Sequence, residues 1–386
     1  MNSQILNRDI SHVEESFKKY LLLKDTIVIR VVLATIFANR LEGDPLWLLI
    51  VAPPSSAKTE IINSLNGLPE IFPLSSLTAH TLVSGMITNE DGKKDDKDKS
   101  LILQLDGKIL ALKDFTSVLS MHREQRAEIL SQLREIYDGA YIKRFGTGQV
   151  TDWKGKIGII AGVTPIIDNH NSVSQMLGER FIQFRMESPD LVEMALRGID
   201  NTGRECGTRQ QLIEMVRDFA INIPMPTNEI TIPSAIRNKI AHLAAFCVVA
   251  RSGVLRDGRS REIIYTPAPE APPRLAKQFV KLGQGLAVIS KRSSISTEDY
   301  AVIYRIGLDI ILKQRRDIIF LLEACPKSVK DIARITRYPN PTVYKILEDL
   351  RSLSLIDSSD EQAWSLTDSA TMSLGEIKPF SETSGV

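Results

Sequence analysis

The chain has 386 residues, of which 43% are hydrophobic and 25% charged, enough to bury a large core in two or three domains. A formal net charge of +1 excludes a globally basic nucleic-acid binder, so any such contact must come from local patches. Apolar runs such as Leu46 to Ala52 fall well short of a bilayer span and the N-terminal residues are polar and charged rather than signal-like, which predicts a soluble, cytoplasmic protein without a membrane segment.

Residues 1–45 form a helical lead-in: apolar residues recur at helical spacing from Ile5 to Asn39, Asp25-Thr26 caps the second of two helices, and Gly43-Asp44-Pro45 ends the region. Three apolar runs of strand character follow, Leu46–Val51, Lys108–Leu112 and Ile157–Ala161, separated by helix-forming segments. Such alternation predicts an α/β core over 46–190 with a mainly parallel sheet. Between the first two runs, Asn89 to Lys99 has no apolar residue and reads as a solvated loop or hairpin tip.

Residues 191–313 turn helical, broken by the Pro-rich stretch Thr266–Pro273, with helices over Leu275–Ile289 and Thr297–Leu312; an all-helical second domain is expected. Over 314–369 the pattern is that of a winged helix. Helices Ile318–Ala324 and Val329–Thr336 precede the turn Arg337-Tyr338-Pro339-Asn340, then come a helix Pro341–Leu353 and a returning strand Trp364-Ser365-Leu366. Asn340 would cap the third helix and Pro341 suits its first turn. Residues 370–386 are polar and are expected to be disordered. Cys206, Cys247 and Cys325 show no metal or redox spacing and are expected to be buried thiols.

The segment Ala52-Pro53-Pro54-Ser55-Ser56-Ala57-Lys58-Thr59 has the form of a phosphate-binding loop between a strand and a helix. In such a loop backbone N–H groups wrap the phosphates, a lysine (Lys58) reaches the terminal ones, and a hydroxyl (Thr59) binds Mg²⁺. Both glycines of the usual pattern are replaced, by Ala52 and Ala57, so an ordinary Pro-containing turn is the competing reading. A second core strand ends at Lys113-Asp114-Phe115, placing Asp114 where a carboxylate holds Mg²⁺ or polarises water. Whether Asp114 is the Mg²⁺ ligand or the base stays open, as does plain helix capping. The third strand ends at Thr164, at the sheet edge where ligands bind, as a γ-phosphate or water contact or a plain Thr-Pro turn. Arg180, in a polar break before Phe181–Phe184, suits phosphoryl-charge stabilisation in a neighbouring subunit, or a surface Glu-Arg pair.

In order and spacing these segments resemble the AAA+ ATPases, and within them the minichromosome-maintenance (MCM)-like branch, from about Leu46 to Leu312, with no counterpart to that branch's N-terminal DNA-binding domain. Pro54 and the ending Ala57-Lys58-Thr59 look like that branch's loop, in which alanine before lysine is normal; Ala52 and Ser55 depart from it. Ile129 to Gly139 followed by Tyr141–Lys156 looks like its helix and pre-sensor hairpin. The resemblance implies a sensor role for Thr164, where the family usually has Asn, an arginine-finger role for Arg180, and a sensor-two role for Arg274 in Pro272-Pro273-Arg274-Leu275. It also implies ATP and Mg²⁺ as cofactors and assembly as a ring, expected to be a hexamer, with ATP between subunits.

For nucleic acid, the hairpin carries Lys143, Arg144, Lys154 and Lys156 against one acid, Asp152, and would track phosphates in a channel, while a solvated basic loop is the plainer reading. In the winged helix, Thr342, Tyr344 and Lys345 would face a major groove, with Lys330, Arg334 and Arg337 on phosphates. The expected activity is ATP-driven DNA translocation or unwinding, in replication of a plasmid, phage or mobile element. A nucleotide-switched loader or regulator with little hydrolysis, favoured by the single acid at Asp114, and an AAA+ remodeller of proteins are the alternatives.

Overall fold

The computed structural model describes residues 9–83, 100–146, 148, 150–169, 180–358 and 363–380. The charged stretch 89–99, read as a solvated loop, lies outside them. Contacts divide the chain into two compact units, Met1–Ile230 with Gln284–Ser293, and Thr231–Gly283 with Ser294–Val386.

The first unit opens with α1 (Ile10–Tyr20) and α2 (Ile27–Arg40). Thr26 is the cap of α2 without a side-chain bond of its own, and Asp25 ahead of it accepts from the Ile27 amide at 3.0 Å. Asn39, buried near the end of α2, donates to the Leu46 carbonyl (2.8 Å) and accepts from its amide (3.0 Å), which fixes where the first strand begins. That strand, β1 (Trp47–Val51), is buried at every residue, as a central parallel strand must be. Among the described residues β2 (Ile71–Leu74), β3 (Ile109–Leu112), β6 (Gly158–Val163) and β7 (Phe181–Arg185) join it in one parallel sheet of order β2-β3-β6-β1-β7.

Side chains alternate between the sheet faces. Trp47, Leu49 and Val51 share a core with Leu110, Leu112, Ile159, Ala161, Val163 and Phe181, closed by α4 (Thr116–Leu119), α5 (Arg123–Tyr137) and the hairpin β4 (Ala140–Arg144)–β5 (Val150–Lys154). The short helix α3 (Lys58–Asn63) follows β1 directly and packs on β6, as α2 does. The unit is therefore α/β, with helices on both sides of a parallel sheet. Two more helices, α6 (Leu191–Asp200) and α7 (Glu205–Asn222), also belong to it, and α7 packs on α1 and α3.

The second unit is built on α8 (Ser234–Ala250), with α9 (Pro273–Ile289, whose last turns count with the first unit) and α10 (Thr297–Asp309). The span 191–313 is not all helical: β8 (Leu255–Arg256) and β9 (Ile263–Tyr265) form a two-stranded ribbon, closed by a turn in which Asp257 accepts the Arg259 and Ser260 amides, both at 2.7 Å. Next come α11 (Lys313–Ala324), α12 (Val329–Thr336), α13 (Asn340–Ser352) and the antiparallel pair β10 (Ile356–Ser358)–β11 (Trp364–Leu366). The cap of α13 is Pro339 rather than Asn340, which already lies inside the helix.

One guanidinium group, Arg315, is 3% exposed and donates to the Ala250 and Ser252 carbonyls (3.1 and 2.6 Å) and to Asp349 (3.3 Å). Asp349 also receives Arg256 at 2.7 Å, so α8, the ribbon, α11 and α13 meet at one carboxylate. The expected tail disorder fails over its first half. Helix α14 (Asp368–Ile377) buries Ala370, Leu374 and Ile377, the Tyr300 hydroxyl donates to the Ile377 carbonyl (2.6 Å), and Lys239 donates to the carbonyls of Glu376 and Lys378. Of the cysteines only Cys247 is buried; Cys206 and Cys325 are exposed, because each falls on the solvent side of its helix or helix end. No helix among the described residues is long and apolar enough to cross a membrane.

Candidate functional site

Because all five strands run parallel, the segments after β1, β3, β6 and β7 leave the same edge of the sheet, the edge where open α/β sheets bind ligands. After β1 the ladder continues one residue, with the Ala52 amide on the Val163 carbonyl at 3.0 Å, and then the chain turns through Pro53 to Ala57. Ser55 (φ 59°) and Ala57 (φ 64°, ψ −7°) both adopt left-handed backbone. This is the geometry glycine normally supplies, here held by residues that carry a Cβ. The chain then enters the first turn of α3, where the amides of Lys58, Thr59 and Glu60 have no acceptor within the helix. Helix closure begins with the Ile61 amide on the Ala57 carbonyl (3.0 Å).

Lys58 is 8% exposed and its ammonium is drawn across its own loop, donating to the carbonyls of Ala52 (2.6 Å) and Pro53 (2.7 Å). Burial lowers its pKa from the ordinary lysine value, and the charge of Asp114 opposes that shift. Thr59 is exposed on the first turn of α3. Glu60 is held by Arg209 of α7 at 2.7 Å.

At the end of β3, Lys113 and Asp114 are exposed and Phe115 is buried. Asp114 accepts the Thr116 amide at 2.8 Å, one residue ahead of Phe115, the cap of α4, and its charge is also felt at Lys58. The backbone is brought there by Gly162 of β6: a Cβ on it would stand 2.7 Å from the Lys113 carbonyl, and the Gly162 carbonyl accepts the Phe115 amide at 2.7 Å. Thr164 is paired with a residue that sequence reasoning missed. Thr116 accepts the Thr164 amide (3.1 Å) and donates to the Thr164 hydroxyl (3.3 Å), locking the ends of β3 and β6 together. Arg185, at the end of β7, makes a two-pronged ion pair with Asp168 at 2.9 and 2.7 Å.

Beside the loop lies a cavity of about 200 Å³, lined by Ala52, Ser55 and Ala57, by Leu21–Asp25 between α1 and α2, by Phe184 of β7 and Met186 after it, and by Met194 and Arg197 of α6. Its walls mix apolar side chains with polar and charged ones, among them Lys24, Asp25, Ser56, Glu60, Glu187 and Arg197. These segments are far apart in sequence and no single motif marks them.

Oxygen donors suited to Mg²⁺ are at this edge, the Thr59 hydroxyl and the Asp114 carboxylate, of which one oxygen already accepts an amide. No cluster of three acidic, His or Cys side chains occurs among the described residues.

Other expected residues are placed differently. Arg180 is 5% exposed, paired with Asp138 at 2.8 Å and lying over the Tyr137 ring at 5.4 Å. In this arrangement the guanidinium packs within its own chain. Arg274 is in the second unit, where it pairs with Glu270 at 2.7 Å. In the hairpin, Tyr141, Thr151 and Trp153 turn inward, and Lys143 on that face meets Glu128 at 3.6 Å. Arg144 and Lys154 are on the outer face with Ile142 and Val150. Lys156 follows the hairpin, and its ammonium donates to the Leu41 carbonyl at 2.6 Å.

In the C-terminal helices Lys330, Arg334, Arg337, Tyr344 and Lys345 are exposed and Thr342 is half-buried. Arg334 is paired with Asp331 at 2.9 Å. Neither a protein-family model nor a curated protein matches this sequence.

Proposed function

We propose that the chain is a P-loop ATPase of the AAA+, MCM-like type, assembling as a hexameric ring on DNA as a cytoplasmic translocase or helicase. The observation that carries the reading is the left-handed pair Ser55 and Ala57 ahead of Lys58, which supplies the backbone of a phosphate loop without its glycines. In this reading the loop amides and Lys58 hold the phosphates of ATP, and the ammonium exchanges two loop carbonyls for phosphate oxygens. Thr59 and Asp114 hold Mg²⁺, which neutralises developing charge on the transferred phosphoryl group. Thr164, oriented by Thr116, contacts the γ-phosphate or the attacking water. The cavity beside the loop receives the base, and the outer face of the hairpin, with Arg144 and Lys154, meets single-stranded DNA in the channel. The segment α11–β11 acts as a winged helix offering Tyr344 and Lys345. Arg180 is not given the finger role.

A second reading is favoured by one specific observation. Asp114 is the only acid in the segment following β3, and it already accepts a backbone amide. That suits a nucleotide-switched DNA loader with slow turnover.

ATP binding and turnover with and without single-stranded DNA separate the readings. DNA-stimulated hydrolysis supports the translocase, DNA binding without turnover the switch, and indifference to DNA a protein remodeller. Lys58→Ala is expected to weaken ATP binding at least tenfold; unchanged binding would remove the site assignment altogether.

A further inference from the structure

Helix α6 is amphipathic in the wrong sense for a free surface. Met194, Arg197 and Gly198 face the cavity, and Arg197 and Asn201 donate to the Lys19 and Tyr20 carbonyls, both at 3.2 Å. The opposite face carries Leu191, Val192, Leu196 and Ile199, exposed by 77, 67, 56 and 69%. A helix normally buries its apolar stripe, and one that seats its polar side and leaves four aliphatic side chains in water marks an interaction surface.

The ribbon β8–β9 offers a second such surface. A register shift sets two residues, Ile264 and Tyr265, against Leu255, so that all three gather, exposed by 67, 59 and 52%. The flanking charges are opposite in the two places. Glu193 and Asp200 border the stripe on α6, whereas Arg259 and Arg261, against one acid, Glu262, project from the ribbon turn that Asp257 holds; all five are exposed.

We infer that the apolar stripe of α6 in one copy of this chain packs against the β8–β9 ribbon of the next copy. Size supports the pairing. The two patches offer together about 800 Å² of apolar surface, and with apolar atoms making up about 60% of an interface this implies about 1,300 Å² in all, within the range of stable contacts. Charge decides the partner: α6 against α6 would bring Glu193 and Asp200 towards their own copies, while α6 against the ribbon sets carboxylates beside guanidinia. A contact between two different patches is head-to-tail, and it closes into a ring when the rotation closes. The far side of α6 lines the cavity, so the contact would press on the wall of the nucleotide site. This inference rests on the ring part of the proposed function and not on its chemistry.

The test uses two full-length variants, Leu196→Glu/Ile199→Glu in the stripe and Ile264→Glu/Tyr265→Glu in the ribbon, with circular dichroism confirming that each folds. Masses of each, of the wild type and of a 1:1 mixture of the variants are measured by sedimentation velocity with and without ATP. Each variant alone is expected to be monomeric, its association weakened roughly 100-fold by loss of central apolar contacts. The mixture should form dimers only, because one intact stripe and one intact ribbon remain between them. Assembly of the ribbon variant alone would point to α6 against α6, assembly of both variants to neither face, and a mixture that stays monomeric to separate partners; each overturns the inference. A wild type that never assembles overturns it together with the ring, while ATP binding measured on the same samples keeps the Lys58 assignment separately testable.

Discussion

Replacing Ala57 by glycine should stabilise the protein, the reverse of what that substitution does in a helix. Ala57 holds its Cβ in left-handed backbone (φ 64°, ψ −7°), at a cost of about 1–2 kcal/mol that glycine does not bear. Glycine's extra freedom in the unfolded chain takes back about 0.4–1 kcal/mol. The net gain is about 0.5–1 kcal/mol, or a rise of about 1–3 °C in Tm for a unit of this size. Ala127, inside α5, is the control: Ala127→Gly should cost about 1 kcal/mol. Trp47, fully buried on the strand that leads into the loop, reports the transition by fluorescence. A lowered Tm for Ala57→Gly would mean ordinary helical backbone there, and the phosphate-loop reading would go with it.

Three further outcomes are expected. Gly162→Ala drives a Cβ to 2.7 Å from the Lys113 carbonyl, which should cost about 2 kcal/mol in thermal melts and reduce ATP turnover by displacing Asp114; a neutral melt with full turnover would count against the role of that crossing. Thr116→Ala removes both bonds to Thr164 and should lower kcat about tenfold with KM little changed, whereas Thr116→Ser keeps the hydroxyl and the rate; equal loss in both would show the hydroxyl to be irrelevant. Because burial lowers Lys58 from 10.5, its ammonium is lost as pH rises through a value below that, so ATP binding should decline there in the wild type but not in Lys58→Arg. In the same window the folded, unliganded chain holds fewer protons than the unfolded one, so its stability should rise with pH; titrations of ATP binding and urea melts from neutral to alkaline pH check both signs.

The strand, loop and helix at Trp47–Asn63 were legible because their signals are local: a buried run, two prolines, then Lys58-Thr59. What was not legible depends on contacts between distant segments. Thr116 and Thr164 are joined only because β3 and β6 are neighbours in the sheet, and the cavity wall gathers residues from α1–α2, β7 and α6. Arg180 reads as an exposed cation until Asp138 and Tyr137 cover it. Lys156 reads as part of the hairpin until its ammonium reaches the Leu41 carbonyl. The tail looked polar, yet Ala370, Leu374 and Ile377 are spaced to cover α8, a face that composition averages away.

The carboxylate of Asp349, shared by Arg256 and Arg315, also constrains how this chain can evolve. Loss of the acid would leave two covered guanidinium groups facing each other, and loss of Arg315 would leave the Ala250 and Ser252 carbonyls without their donor. Positions 256, 315 and 349 are therefore expected to be inherited as a set. Among descendants of this sequence, charge at any one of them should forecast the other two.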